Sequence, residues 1–255
     1  MITFHFGWRP DPEDQRDRLF KLHMGATPRA VESMSMSSLS GRVRDQESSN
    51  GCTGFSITAA MQTRRRLDGL ADASEELSPQ ALYWHLRALD GFADEDGGGY
   101  IRSGIRAARA VGVCREESWP FDVARINQRP SMTAEIEGVA RYHGTYERIT
   151  ESGPWCAERV LDALQNKMPV VFGTQVTNAF MAHRGTGTIA APKPLETRVG
   201  GHALCALGFD RSGERIRIKN SWGLWADRGF AWIDPDWFAD HETQDIWVFR
   251  HAEAA

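Results

Sequence analysis

The sequence predicts an α+β fold, with helices in the first two thirds of the chain and strands in the last third. Between Cys52 and about residue 166, apolar residues recur at helical spacing. After Pro169 the pattern changes to short apolar runs and period-2 alternation, the signature of strands. With 255 residues, 41% apolar and 25% charged, the chain has an ordinary globular composition and enough length to build a core without cross-links.

Residues 1–40 come first and show no core of their own. Trp8, two prolines and a run of mixed charges from Arg9 to Arg18 precede a serine- and methionine-rich stretch from Glu32 to Ser40. This reads as an extended arm with at most a short helix. A helix begins at Cys52, with Phe55, Ala59 and Ala60 on one side. The Arg64-Arg65-Arg66 triplet that follows reads as a solvated face. Ser78-Pro79 is an N-cap with proline at the first helical position, followed by the Leu82, Leu86, Leu89 stripe. Ile101, Ile105 and Ala108 mark a helix over 100–111, closed by Gly112. Val160, Leu161 and Leu164 mark another over 155–166. Strands are expected at 169–172, 202–209, 215–219, 229–233 and 246–249. The organisation is therefore an arm over 1–40, a mainly helical lobe over 41–166 and a mainly β lobe over 167–255.

The charge balance excludes some functions. Thirty Lys and Arg against 34 Asp and Glu leave a formal charge of −4, without the basic excess of a nucleic-acid binder. No run of 18 apolar residues suits a membrane span. The N-terminus lacks a basic region followed by an apolar one, so a cytoplasmic location, or export without a classical signal, is expected. Cys52, Cys114, Cys156 and Cys205 form no Cys-x-x-Cys pair, and the histidines show no ligand spacing. Neither a metal nor any other cofactor is expected. Gly185-Thr186-Gly187-Thr188-Ile189-Ala190 mimics a nucleotide loop, but prolines follow it where a helix would be needed.

Three segments carry chemistry. Cys52, after Gly51, sits in the first turn of a helix, where the dipole and free N–H groups favour a thiolate. His202 follows Gly200-Gly201 at the head of an apolar strand, approachable from a cleft. Asn220 ends an alternating strand and precedes Ser221-Trp222-Gly223, placed to orient a histidine under an indole shield. Each alone has a structural explanation; in the order Cys, His, Asn they make a nucleophile, a base and an orienter.

The set resembles the papain family of cysteine peptidases. Gln46 six residues before Cys52, Phe55-Ser56, Gly201-His202-Ala203 and Asn220-Ser221-Trp222-Gly223 carry the likeness. Ser118-Trp119-Pro120-Phe121 and Asp96-Gly97-Gly98-Gly99-Tyr100 extend it. His202 lies 150 residues after Cys52 and Asn220 lies 168 after, which suggests an insertion near 177–198. The resemblance implies one papain-like catalytic domain with a helical left lobe, an antiparallel β-barrel-like right lobe and the cleft between them. It implies hydrolysis of a peptide or protein substrate by a Cys52–His202 thiolate–imidazolium pair. Asn220 would orient the imidazole, and Gln46 with the Cys52 N–H would form the oxyanion hole. Gly98, Gly99, Gly201, Trp222 and Gly173 would line the substrate cleft. Acyl transfer or deamidation by the same triad, and a non-catalytic binding module, are the alternatives.

The departures are informative. The family's cysteine pair falls on Ser49 and Asp96, consistent with a disulfide-free member of prokaryote-like type. Thr53 replaces the tryptophan that usually follows the nucleophile. With 45 residues before Gln46, no long helical propeptide is expected, and the charged arm over 8–28 is expected either to pack elsewhere or to cover part of the cleft.

Overall fold

The structure, a computed structural model, describes residues 4–21, 31–71, 74–139 and 143–253. Residues 1–3 and 22–30 of the expected arm lie outside the described residues.

The arm contributes β1 (Trp8–Arg9) and β2 (Ser33–Ser35). Helices α1 (Cys52–Leu67) and α2 (Pro79–Leu89) follow, then β3 (Gly99–Tyr100), α3 (Ile101–Val111) and α4 (Met132–Val139). Next come β4 (His143–Ile149), α5 (Pro154–Gln165), β5 (Val170–Thr177), α6 (Asn178–Ala182) and β6 (Thr188–Ile189). The chain continues through β7 (Arg198–Asp210), β8 (Arg215–Lys219), β9 (Phe230–Ile233) and β10 (Thr243–Glu253).

Helix α1 is buried along nearly its whole length, polar residues included. Its inward-facing hydroxyls are satisfied within the helix: Thr58 Oγ1 donates to the Gly54 carbonyl and Thr63 Oγ1 to the Ala59 carbonyl. A helix with no solvated face belongs between layers, and α1 packs against α2 and α3 on one side and β7 on the other. The expected caps are present. Ser78 Oγ accepts from Ala81 N at the start of α2, and Gly112 takes φ +66° after α3.

The eight-stranded sheet runs β4-β10-β5-β7-β8-β9-β6, with β2 paired to β7. It is antiparallel except for the parallel β6–β9 pair. Among the described residues its path stays open, with β4 and β6 at the ends. β5 and β7 are its apolar spine; Val170, Val171, Phe172, Cys205, Ala206 and Leu207 are fully buried. Burying a residue such as Phe172 contributes about 2–3 kcal/mol.

Several elements escaped the sequence reading, α4 and β4 the longest of them. α4 carries Met132, Ile136 and Val139 at helical spacing, yet all three are exposed, so this stripe marks no contact with the core. β4 is an edge strand of the large sheet, paired with β10. The arginine triplet also differs from expectation. Arg65 and Arg66 side chains are only 8% and 5% exposed, paired with Glu75 and Glu76, while Arg64 pairs with Asp68. These carboxylates come from the turn after α1 and the lead into α2, so the charge run is a joint within the helical lobe and not a solvated face.

Candidate active site

Cys52 is the first residue of α1, and no side chain caps the helix before it. The uncapped N–H groups of that turn and the positive helix end therefore face the cleft. His202 lies in β7, opposite Thr174 of β5. The backbone N–H of Ala203, the next residue, reaches the Cys52 sulfur. The register Cys205↔Lys219 brings the end of β8 alongside, and Asn220 follows directly.

Asn220 fixes the imidazole tautomer. Its Oδ1 lies 2.7 Å from both His202 Nε2 and the Ser221 backbone nitrogen. The Ser221 N–H can only donate, so that atom is the amide oxygen, and Nε2 must carry the ring proton. Nδ1 is then the ring's lone-pair nitrogen, and it has no hydrogen-bond partner among the described residues. Trp222 stacks on the imidazole, with centroids 4.3 Å apart and planes at 28°, and is itself flanked by Phe4 at 4.5 Å. The stack keeps water from the His202–Asn220 bond.

Gln46 is fully buried. Its Oε1 accepts from Ser221 Oγ at 2.6 Å, which directs the amide NH₂ the other way. That NH₂ donates to the Ser49 carbonyl at 2.7 Å and to the His5 carbonyl at 3.2 Å. His5 belongs to the arm, which runs through the cleft. Gly99 N donates to the Gly7 carbonyl at 2.7 Å, and β1 pairs in parallel with β3. The predicted cleft glycines meet this same segment. A Cβ on Gly98 would lie 2.1 Å from the Gly7 carbonyl oxygen, and one on Gly201 2.6 Å from that of Trp8. A Cβ on Gly173 would lie 2.0 Å from the Trp8 ring. The covering segment is 4–9, upstream of most of the charged stretch expected to play that part.

The cover sets the protonation states. With Cys52 and His202 both at 0% exposure, burial pushes the thiol up to about 11. Backbone N–H groups of Ala203, Gly7, Thr53 and Trp8 oppose that shift without overcoming it. Burial also pushes His202 down to about 4, against the Asn220 hydrogen bond that raises it. The covered pair is thus neutral at pH 7. This differs from the resting ion pair expected from the sequence, and the cause is exclusion of water.

Where the family's cysteine pair would fall, polar contacts tie the same two strands of chain. Asn50 N donates to the Asp96 carboxylate at 3.1 Å, Asn50 Nδ2 to the Asp96 carbonyl, and Tyr83 OH to Asp96 Oδ1 at 2.5 Å. None of the four cysteines is in a disulfide. Sequence reasoning passed over Ser221, although it sits inside the quoted motif, and over Trp8 and Asp245. The last two meet across 237 positions, which no local pattern reveals.

Comparison with known proteins places the fold. The structure superposes on xylellain, a cysteine protease from Xylella fastidiosa, with a TM-score of 0.87, 25% identity and coverage of 97% of this chain and 96% of that one. Procathepsin B S9 from Trypanosoma congolense shares the fold at a TM-score of 0.77 and 14% identity, over 98% of this chain and 87% of that one. The fold is papain-like. Residues 27–243 match the model of the papain family cysteine proteases, and the chain belongs to that family. It is 32% identical to an uncharacterised peptidase C1-like protein of Acanthamoeba polyphaga mimivirus, over 66% of this chain and 57% of that protein. It is 26% identical to the gamete and mating-type specific protein A of Dictyostelium discoideum, over 72% of this chain and 38% of that protein. The chain thus spans little more than half, or less, of the length of these curated relatives. Among the described residues, no helix is long and apolar enough to cross a membrane.

Proposed function

We propose that the chain is a cysteine peptidase that hydrolyses peptide bonds of a peptide or protein substrate with Cys52 as nucleophile, and that its arm holds it latent. The carrying observation is the tautomer imposed by Asn220, which leaves His202 Nδ1 as an unpartnered acceptor in the strand beside the Cys52 sulfur. Once the arm withdraws, water re-enters and the burial that keeps both groups neutral is relieved. Nδ1 then takes the thiol proton, and the thiolate attacks the scissile carbonyl carbon. The oxygen gains negative charge where the His5 carbonyl now lies, facing the Gln46 NH₂, with the Cys52 N–H as the second donor of the oxyanion hole. His202 returns the proton to the leaving amine as the C–N bond breaks. Water, deprotonated by the same nitrogen, releases the acyl group from sulfur. Asn220 orients the ring throughout and makes no bond. Gly98, Gly99, Gly201 and Gly173 bind the substrate backbone and side chains where they now hold the arm, and Trp222 shields the base.

Alkylation by an iodoacetamide-type probe, mapped by peptide mass, tests the reading. Cys52 should label fastest among the four cysteines, His202→Ala should abolish that lead, and Cys52→Ala should end turnover while leaving the fold intact. Cleavage products with their ordinary masses support hydrolysis. A mass change without chain cleavage would replace it with acyl transfer or deamidation, and unchanged turnover in Cys52→Ala would sink the mechanism.

A further inference from the structure

The short strand that meets the arm in the cleft lies outside the large sheet. Among the described residues, the one strand paired with β3 is β1 of the arm. When the arm withdraws, the Gly99 N–H loses the Gly7 carbonyl, and the Gly97 carbonyl loses Arg9 Nε. The backbone ladder that sets β3 in place leaves with the arm, and an incoming substrate meets the strand without it. What remains is a set of anchors from within the helical lobe.

Tyr83 of α2 is the centre of that set. It is fully buried, and its hydroxyl accepts from Gly98 N at 3.0 Å. An amide N–H can only donate, so the hydroxyl proton goes the other way, to Asp96 Oδ1 at 2.5 Å. Burial, with the Asp96 charge next, raises the phenol far above its ordinary range, so the proton stays on the oxygen. Arg87 seats the ring: its guanidinium lies 4.1 Å from the ring centroid and donates to the carbonyls of Glu95 and Ile126. Gly98 takes φ +82°, and the two neighbouring amides part there. The Gly98 N–H points inward to Tyr83, and the Gly99 N–H points into the cleft. The Asp96 carboxylate also accepts from Asn50 N at 3.1 Å, two residues before Cys52. One buried phenol and one carboxylate therefore link the amide that faces the substrate to the turn that carries the nucleophile.

Resting on the peptidase reading, we infer that Tyr83 is a positioning residue for that reaction: its hydroxyl, held by Asp96, keeps the Gly98–Gly99 turn set in the open cleft, so that the Gly99 N–H meets a substrate carbonyl at a fixed distance from Cys52. Hydrogen bonds do this work because no disulfide joins the two segments. Without the hydroxyl, the buried Gly98 N–H has no acceptor, and the turn shifts to find one.

The test uses the full chain and tripeptidyl chloromethyl ketones, which alkylate the nucleophile once the peptide is seated and need no turnover. Each peptide bond of the probe is replaced in turn by a trans CH=CH unit, which keeps the extended shape and removes the carbonyl acceptor. Cys52 labelling is read by peptide mass. The ratio of the rates of two such probes on one enzyme does not depend on how often the arm is open, so ratios are the readout. In the parent chain one replacement should slow labelling about fivefold or more, the loss of the hydrogen bond to Gly99 N. In Tyr83→Phe that ratio should shrink to about twofold or less. Asp96→Ala removes the acceptor of the hydroxyl at a partly exposed position. It should shrink the ratio likewise, and it serves if the first variant fails to fold. A loss of general stability alone would slow every probe alike and leave the ratio in place. A ratio unmoved in both variants, or no replacement that slows the parent chain, overturns the inference and leaves the peptidase reading standing. Labelling of Cys52 no faster than that of the other cysteines removes both.

Discussion

The arm is held in two stretches by different forces. Residues 5–8 engage through uncharged contacts: the His5 carbonyl on Gln46, the Gly7 carbonyl on Gly99, and the Trp8 ring against Gly173. Residues 11–17 are held largely by charge. Asp17 pairs with Arg102 and Arg148 at 2.5 and 2.9 Å, and Asp11 accepts from Arg102 N and Trp247 Nε1. Arg102 also reaches the Pro12 carbonyl. Apart from the Trp8 Nε1 bond to Asp245, the first stretch makes contacts any peptide could make. The second makes contacts a generic substrate lacks, so it is where the arm gains its advantage over a competitor and where solution conditions act.

The strongest way to break that division is Arg102→Leu, which leaves Asp17 with one cation. Removing one partner of a largely buried pair weakens docking by about 2–3 kcal/mol. Cys52 alkylation should quicken by roughly a hundredfold at that magnitude; an unchanged rate would mean that the uncharged stretch alone holds the arm. Trp8→Phe keeps the ring and removes one hydrogen bond, about 1 kcal/mol, and should quicken labelling several-fold. A larger effect than that of Arg102→Leu would reverse the ranking.

Acidity sharpens the contrast further. Burial, followed by the nearby Asp245 charge, raises docked Asp11 from 3.8 to about 6. Burial raises Asp245 as well. A raised docked value means that the docked state favours the proton. The contribution of Asp11 to docking is therefore largest below about pH 4, weakens as pH climbs toward 6, and is gone above it, while His202, pushed down by the cover, acts in the opposite direction over the same range. Fluorine NMR of a fluorotryptophan-labelled chain, with Trp8 assigned through Trp8→Phe, reads the docked fraction. Asp11→Asn, which is neutral at every pH, should raise that fraction above the parent chain's at pH 7 and match it at pH 4, and equal fractions at pH 7 would refute the assignment. The smallest effect belongs to Arg16→Ala. Its pair with Asp14 is formed by a side chain 82% exposed, and neither labelling nor stability should move measurably.

What was legible in the sequence follows the range of each interaction. The Cys52 helix start, the Gly200-Gly201-His202 strand head and the Asn220-Ser221-Trp222-Gly223 turn are contiguous signals, and the caps at Ser78 and Gly112 are local chemistry. All are readable in the sequence itself. The path of residues 4–9 was not, because its contacts are mostly backbone groups and one indole whose partner, Asp245, lies at the far end of the chain. Arg64–Arg66 misled because a charge run looks the same whether its partners are water or Glu75 and Glu76. Among the described residues β4 pairs with β10 and the arm residue Leu19 alone, so its edge character left little pattern to detect.

The arm is joined to the enzyme at both ends of its described path. It leaves the cleft at Trp8 and is stitched to the sheet again at β2, where Ser33–Ser35 pairs with β7. A blocking segment tethered in this way acts at an effective concentration on the order of millimolar, whatever the concentration of the protein itself. Dilution alone therefore cannot free the cleft on the latency proposed above. Severing the connection between the two stitches changes the order of the reaction: the freed piece rebinds as a second molecule, and latency becomes something that dilution can remove.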